Sequence, residues 1–311
     1  MSAGKDQHVP VLKDEILVQL GVRPDGLYID GTFGRGGHSR ALLEQLGPAG
    51  RLLVIDRDPH ALETAVDLAA SDSRVTVIRG RFGDIEQIAA AHGVLGKVDG
   101  MVLDLGVSSP QLEDADRGFS FLRDGPLDMR MDPDSGQSAE TWINAAEERE
   151  IARVIARFGE EKSARRIARA ICDARSIEKI TRTRQLADLI ERVIPRRGKG
   201  KHPATKTFQA VRIYINNELG ELQNFLESVL NVLSTGGRLC VISFHSLEDR
   251  MVKRFLRDHS RVDPALARLP VVPESAKPKM RVVCRAIRSG DAETERNPRA
   301  RSAVLRVGEC L

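Results

Sequence analysis

Three aspartates each close an apolar run, and each could meet a ligand. Asp30 ends "GLYID" and runs into "GTFGRGGHS". Asp56 ends "RLLVID", 26 residues further on, and Asp104 ends "GMVLD" just before "LGVSSPQ". A strand, a glycine turn and a helix in succession aim backbone N–H groups and the positive helix end at a bound molecule. An acid at the end of the next strand is where dinucleotide-type folds bind ribose hydroxyls, a role that falls to Asp56. NAD and S-adenosylmethionine sites share these parts. Residues 31–36, "GTFGRG", match G-x-x-G-x-G but not G-x-G-x-x-G, so the plain pyrophosphate fingerprint is missing. Asp30 would lie beside a cationic sulfonium, where opposite charges attract. The turn therefore favours S-adenosylmethionine, with NAD as the alternative.

Asp104 begins a second chemical stretch, "DLGVSSPQ". Its tail Ser109-Pro110 partly matches the acid/Ser-Pro-Pro-aromatic turn of methyltransferases acting on exocyclic amines, but Gln111 replaces the second proline. Such an amine has its lone pair delocalised into the base. It needs an acceptor that hydrogen-bonds its N–H and holds it in line with the methyl donor. Asp104, with Ser108 or Ser109, is the candidate. Methylation at a ring carbon would more often call for a cysteine nucleophile, and none of Cys172, Cys240, Cys284 and Cys310 has a suitable setting; Cys240 lies inside the apolar "RLCVISF".

Two further stretches carry polar clusters. In "VISFHSLEDR" His245, Ser246, Glu248 and Asp249 follow an apolar run; a helix start capped by Ser246 and a base-contacting or catalytic site, with His245 in it, are compatible readings. In "RRGKGKHPATKTFQ" the cations Arg196, Arg197, Lys199 and Lys201 could track phosphates, and Phe208 could stack on a base or fill a helix core. His38 and His202 are too scattered for a metal site, and no metal is expected.

Alternating signals position these residues. Strand-like runs at "GLYID", "GRLLVIDRD", "RVTVIRGRF" and "VDGMVLDLG" are separated by helical stretches, a rhythm that predicts a doubly wound parallel α/β sheet. After the fourth strand comes a loop over 112–137, then helical patterning from Ala139 to about Arg192, then the basic loop and one long helix, "TFQAVRIYINNELGELQNFLESVLNVL". Strand signals return at "GGRLCVISFHS" and "SAVLRVGE". The expected organisation is a discontinuous cofactor-binding domain, 1–111 and 218–311, interrupted by an inserted helical domain, 112–217.

Charge follows the same division. The net +4 conceals 14 Lys/Arg against 25 Asp/Glu in residues 1–148 and 18 against 7 in residues 149–212. The second segment, at +11, is a candidate polyanion surface. No run of 18 apolar residues appears, so no membrane span is expected. The stretch "MSAGKDQHVPVLKDE" lacks an apolar signal-peptide core, and the scattered cysteines read as reduced thiols, which predicts a cytoplasmic protein.

The sequence resembles the MraW/RsmH family of small-subunit ribosomal RNA cytidine-N4 methyltransferases. The shared segments are "HVPVLKDE", "IDGTFGRGGHS", "LVIDRDP", "DLGVSSPQLEDADRGFSF", "PLDMRMD", "HPATKTFQAVRIYINNEL", "ISFHSLEDRMVK" and "NPRARSAVLRVGE", in order over nearly the whole chain. The resemblance implies a Rossmann-like class I methyltransferase sheet and S-adenosylmethionine contacts at Gly36, Gly37, His38, Asp56, Phe82, Asp104 and Gln111. It also implies an insert that helps hold the cytidine, 16S ribosomal RNA within the small subunit as partner, and compatibility with a homodimer. A NAD-dependent oxidoreductase and a non-catalytic RNA-binding assembly factor are the competing classes. The missing G-x-G-x-x-G weighs against the first; the second would need no cofactor pocket.

Overall fold

Residues 10–194, 202–262, 271 and 273–311 are described by the computed structural model of the protein. They form helices and strands in the order α1 (Lys13–Leu20), β1 (Leu27–Asp30), α2 (Gly37–Gln45), β2 (Arg51–Asp56), α3 (Pro59–Ser71), β3 (Val75–Arg79), α4 (Ile85–Ala91), β4 (Val98–Asp104) and α5 (Ser109–Glu113). Then follow α6 (Ala139–Ala145), α7 (Glu148–Gly159), α8 (Ala164–Ile177), α9 (Thr183–Val193), α10 (Thr205–Ile215) and α11 (Glu218–Ser228). The chain ends with β5 (Leu233–Ser243), α12 (Ser246–His259), β6 (Met280–Val282), β7 (Ile287–Arg288), α13 (Asp291–Arg296) and β8 (Val304–Cys310). It divides into two compact units, Met1–Gly106 with Leu219–Leu311, and Val107–Glu218.

The first unit is a mixed sheet in the order β3-β2-β1-β4-β5-β8-β6, with β7 also paired to β8. Strands β1 to β5 are parallel, and β8 joins β5 antiparallel. Parallel strands are buried on both faces, and alternate side chains point to opposite faces. Tyr28, Leu52, Val54, Val102 and Ile242 accordingly enter one core with Ile16, Leu42 and Ala65 of α1, α2 and α3. Their neighbours Ile29, Leu53, Ile55, Met101, Leu103 and Val241 enter a second core with Ile85, Phe225 and Val252 of α4, α11 and α12. The Rossmann-like α/β class expected from the β-α rhythm is what forms.

The second unit packs α6 to α10 around Trp142, Ile143, Ile151, Ile155, Ile167, Leu186 and Val211. Leu127 and Met129, from the stretch expected to be loop, are fully buried in the same core. That stretch is irregular but pinned, since Glu140 N–H donates to the Leu127 carbonyl at 2.6 Å and Leu127 N–H to that of Thr181 at 2.9 Å.

The single long helix expected over 207–233 is two helices. Asn217 adopts φ +50°, a left-handed conformation that asparagine tolerates better than most residues. Its neighbour Asn216 turns inward: Oδ1 accepts from Met131 N–H at 2.8 Å, and Nδ2 donates to the Met129 carbonyl at 2.7 Å. Helix α1 and the short antiparallel strands β6 and β7 were not expected from the sequence.

Candidate active site

In the first unit, the strand order reverses between β1 and β4, and in open α/β sheets ligands sit outside the carboxyl ends of the strands at that point. Asp30, Asp56 and Asp104 are the last residues of β1, β2 and β4, so the sheet brings all three acids to one edge.

The glycine turn is built against them. Gly31 N–H donates to the Val102 carbonyl at 3.0 Å, and Phe33 N–H to that of Ile55 at 3.1 Å, which stitches the turn to the two neighbouring strands. A Cβ at Gly31 would lie 2.5 Å from Leu103 Cδ2, so a larger residue there would have to displace that buried side chain. Gly36 starts α2 at φ +71°, where an L side chain is strained. The first N–H groups of α2, from Gly37 and His38 onward, have no partner within the helix and carry its positive end.

Asp30 is 1% exposed, and both its oxygens serve the turn: Oδ1 accepts from Thr32 N–H at 3.1 Å and Oδ2 from the Ser39 hydroxyl at 2.7 Å. Burial pushes its carboxyl above the ordinary range, against the pull of these hydrogen bonds. Its work is to shape the turn. Asp56 accepts from Gly34 N–H at 2.8 Å through Oδ2, and from Arg57 and Asp58 N–H at 2.8 and 2.9 Å through Oδ1. A carboxylate has about four acceptor positions, so Asp56 keeps room for one further donor, on Oδ2. Desolvation pushes its carboxyl up to about 6 in spite of the three N–H donors.

His38 is 5% exposed, and neither ring nitrogen has a hydrogen-bond partner. Its Nε2 lies 3.6 Å from Asp104 Oδ2, while Asp104 Oδ1 is buried and also unpartnered. The backbone N–H of Asp104 donates to the Thr32 hydroxyl at 2.7 Å, so the turn fixes the end of β4. Buried polar groups without partners are rare in folded proteins and concentrate at ligand sites. Phe82 opens the turn after β3, edge-on to Phe225 at 5.9 Å, and a Cβ at Gly31 would come within 3.4 Å of its Cβ. It thus supplies an apolar wall beside the glycine turn. These groups suit S-adenosylmethionine: N–H donors and an acid for ribose and amino-acid tail, a flat apolar side for adenine, and orphaned polar atoms between them.

The cluster after β5 is mainly structural. His245, not Ser246, caps α12: its Nδ1 accepts from Glu248 N–H at 3.5 Å, and Glu248 Oε2 accepts from Phe244 N–H at 3.0 Å. Ser246 is the first residue inside the helix, since the reciprocal partner three residues on belongs to His245. Asp249 grips Arg306 of β8 through two hydrogen bonds, at 2.6 and 3.1 Å. Cys240 is fully buried, and burial raises its thiol far above the ordinary value, which suits a core residue.

In the second unit, Ser108 caps α5 and closes a capping box with Gln111, whose Oε1 accepts Ser108 N–H at 2.9 Å. Gln111 therefore has a local duty besides any contact with a cofactor. Ser109 is the first residue of α5. Phe208 is 4% exposed and meets Phe121 edge-on at 4.8 Å, so this ring fills the core and offers no open face for stacking. Arg196, Arg197, Lys199 and Lys201 lie outside the described residues. Thr32 and Ser39, which hold Asp104 and Asp30, were not singled out in the sequence. Their place inside the glycine turn was the only signal.

Comparison with known proteins adds the identity of this arrangement. The model of the MraW methylase family matches residues 5–311. Among solved structures, an rRNA methylase from Streptococcus thermophilus is similar at 10% identity and a TM-score of 0.43, covering 100% of this chain and 99% of its own. A SAM-dependent methyltransferase from Aquifex aeolicus is similar at 10% identity and a TM-score of 0.42, covering 97% and 90%. The full-length family match decides the question: the chain belongs to the MraW methylase family.

Proposed function

We propose a division of labour for this S-adenosylmethionine-dependent 16S rRNA cytosine-N4 methyltransferase of the MraW family. The unit of residues 1–106 and 219–311 holds the cofactor. The inserted unit, 107–218, recognises ribosomal RNA and the target cytidine. The observation that carries the reading is the convergence of Asp56, Asp104 and the buried, unpartnered His38 on one glycine turn. No helix among the described residues is long and apolar enough to cross a membrane. A cytoplasmic enzyme acting on assembled small subunits fits that observation and the family, and a homodimer is compatible with them.

When bound, S-adenosylmethionine supplies an electrophilic methyl group on a sulfonium. Asp56, in its ionised form, accepts a ribose hydroxyl at the free position of Oδ2. Gly36 and Gly37 let the cofactor approach the backbone, and Phe82 covers the adenine. His38 and the unpartnered Oδ1 of Asp104 find their hydrogen-bond partners in the ligands. Asp104 then accepts a hydrogen bond from the cytidine amine, which raises electron density on nitrogen and fixes its approach. Ser108 and Ser109 follow within five residues along the chain and assist in orienting the base. Gln111, held by its capping box, is the family's further cofactor residue, and His245, at the end of β5, is a candidate for the base.

The decisive experiment incubates the protein with labelled S-adenosylmethionine and small subunits from a strain lacking it, then maps the methylated nucleotide by mass spectrometry. One N4-methylated cytidine in 16S rRNA is expected. Absence of label, or label on a ring carbon, would overturn the reading.

A further inference from the structure

The outward faces of α7 and α8 carry a cluster of cations outside the ion pairs of the fold, though Arg157 also lies 5.3 Å over the Phe158 ring. On α7, Arg149, Arg153 and Arg157 recur every four residues, and all three are exposed. On α8 and the residues leading into it, Lys162, Arg165 and Arg169 follow the same helical face, also exposed. The core-facing residues are Ile151, Val154 and Ile155 of α7, and Ile167, Ala168 and Ile171 of α8. At about 100° per residue, the cations point away from that core.

None of these six cations forms an ion pair among the described residues. Two of the nearby carboxylates have hydrogen-bond donors of their own, although Glu150 also lies in the field of Arg153. Glu150 accepts from the Tyr214 hydroxyl at 2.7 Å and Trp142 Nε1 at 3.3 Å, and Glu161 accepts from Ser163 N–H at 2.8 Å. Like charges four residues apart on a helix destabilise it, and an ordinary solvated helix intersperses acids to avoid this. Asp173, four residues after Arg169, is an exposed acid on this face, and the excess of cations retained there at that cost points to a partner of opposite charge. Five of the six are arginines, whose planar forks bind phosphate oxygens in pairs.

We propose that the outward faces of α7 and α8 form a phosphate-binding surface that grips the ribosomal RNA backbone. The proposal rests on the rRNA methyltransferase reading above. Such contacts are independent of sequence, fix register, and release counterions, so they appear in the salt dependence of binding.

The test compares the full-length protein with the triple variant Arg153→Gln, Arg157→Gln, Arg165→Gln in binding to small subunits across salt concentrations. Glutamine keeps helix propensity while removing charge. The slope of log affinity against log salt should fall by roughly 2 to 3, and affinity at low salt by at least about tenfold. The variant should unfold at a temperature no lower than the parent's, since like-charge repulsion is relieved, and its binding of S-adenosylmethionine should be unchanged. An unaltered slope in a variant that melts no lower than the parent would overturn the surface. If the parent itself leaves 16S rRNA unlabelled, the enzymatic reading fails instead, so the two failures are separable.

Discussion

His38 Nε2 lies 3.6 Å from Asp104 Oδ2, a contact that joins the first turn of α2 to the end of β4. The imidazole is buried, yet both its nitrogens lack hydrogen-bond partners, as does Asp104 Oδ1. An unpaired buried polar group costs about 1–3 kcal/mol. Three such atoms in one place are a standing cost that a polar ligand relieves. The cofactor role proposed for His38 and the amine-orienting role proposed for Asp104 thus draw on one shared cluster.

Asp56→Ala should lower affinity for S-adenosylmethionine by at least about tenfold, because one charge-assisted hydrogen bond contributes about 1.5–3 kcal/mol. It also frees Gly34 N–H from its 2.8 Å bond, so the turn loosens. Calorimetric titration decides the matter, and affinity equal to that of the parent would remove Asp56 from the site.

Cofactor affinity should fall as pH drops below about 6, where the Asp56 carboxyl takes up its proton and loses the charge that strengthens its bond to a hydroxyl. In the limit the loss approaches tenfold per pH unit. The ligand-free fold responds with the opposite sign. A carboxyl raised above its ordinary value contributes stability that is full below that value and is lost as pH rises through about 6. Titrations between pH 5 and 8 check both signs, and Asp56→Asn should abolish the pH dependence of binding.

Gly36→Ala should destabilise the first unit by about 1–3 kcal/mol, through left-handed strain and overpacking. The backbone there has φ +71°, and an added Cβ would lie 2.5 Å from Phe33 Cζ. Denaturant unfolding measures the shift; a midpoint equal to the parent's would mean that the turn relaxes freely.

Asn216→Ala should cost about 2–4 kcal/mol in the inserted unit, since it strands buried backbone groups. Three bonds are lost: from Met131 N–H, and to the Met129 and Arg212 carbonyls. A loss below about 1 kcal/mol in the same unfolding assay would show that the 126–131 segment is held by its core contacts and its other hydrogen bonds without Asn216.

The sequence carried the sheet because parallel strands are continuous apolar runs, and "RLLVID" can hardly be anything else. It carried Asp56 and Asp104 because a strand-end acid is visible as the last letter of such a run. What stayed hidden depended on partners far along the chain. The break at Asn217 answers to Met129 and Met131, and the burial of Phe208 answers to Phe121. Strands β6 and β7 have three and two residues and exist only as neighbours of β8. His245 as a cap was missed because histidine is an uncommon cap, whereas Ser246 beside it is a favoured one.

The parallel pairing of β4 with β5 spans the whole insert, from Asp104 to its partner Ile242. During synthesis the chain emerges N-terminus first, and compact units fold as they appear. The helical unit, contiguous from Val107 to Glu218, is complete before Leu233 leaves the ribosome. Until then β4 is an open sheet edge, the kind that recruits other chains. A nascent chain stalled between these points would thus be an aggregation hazard with a finished helical module attached.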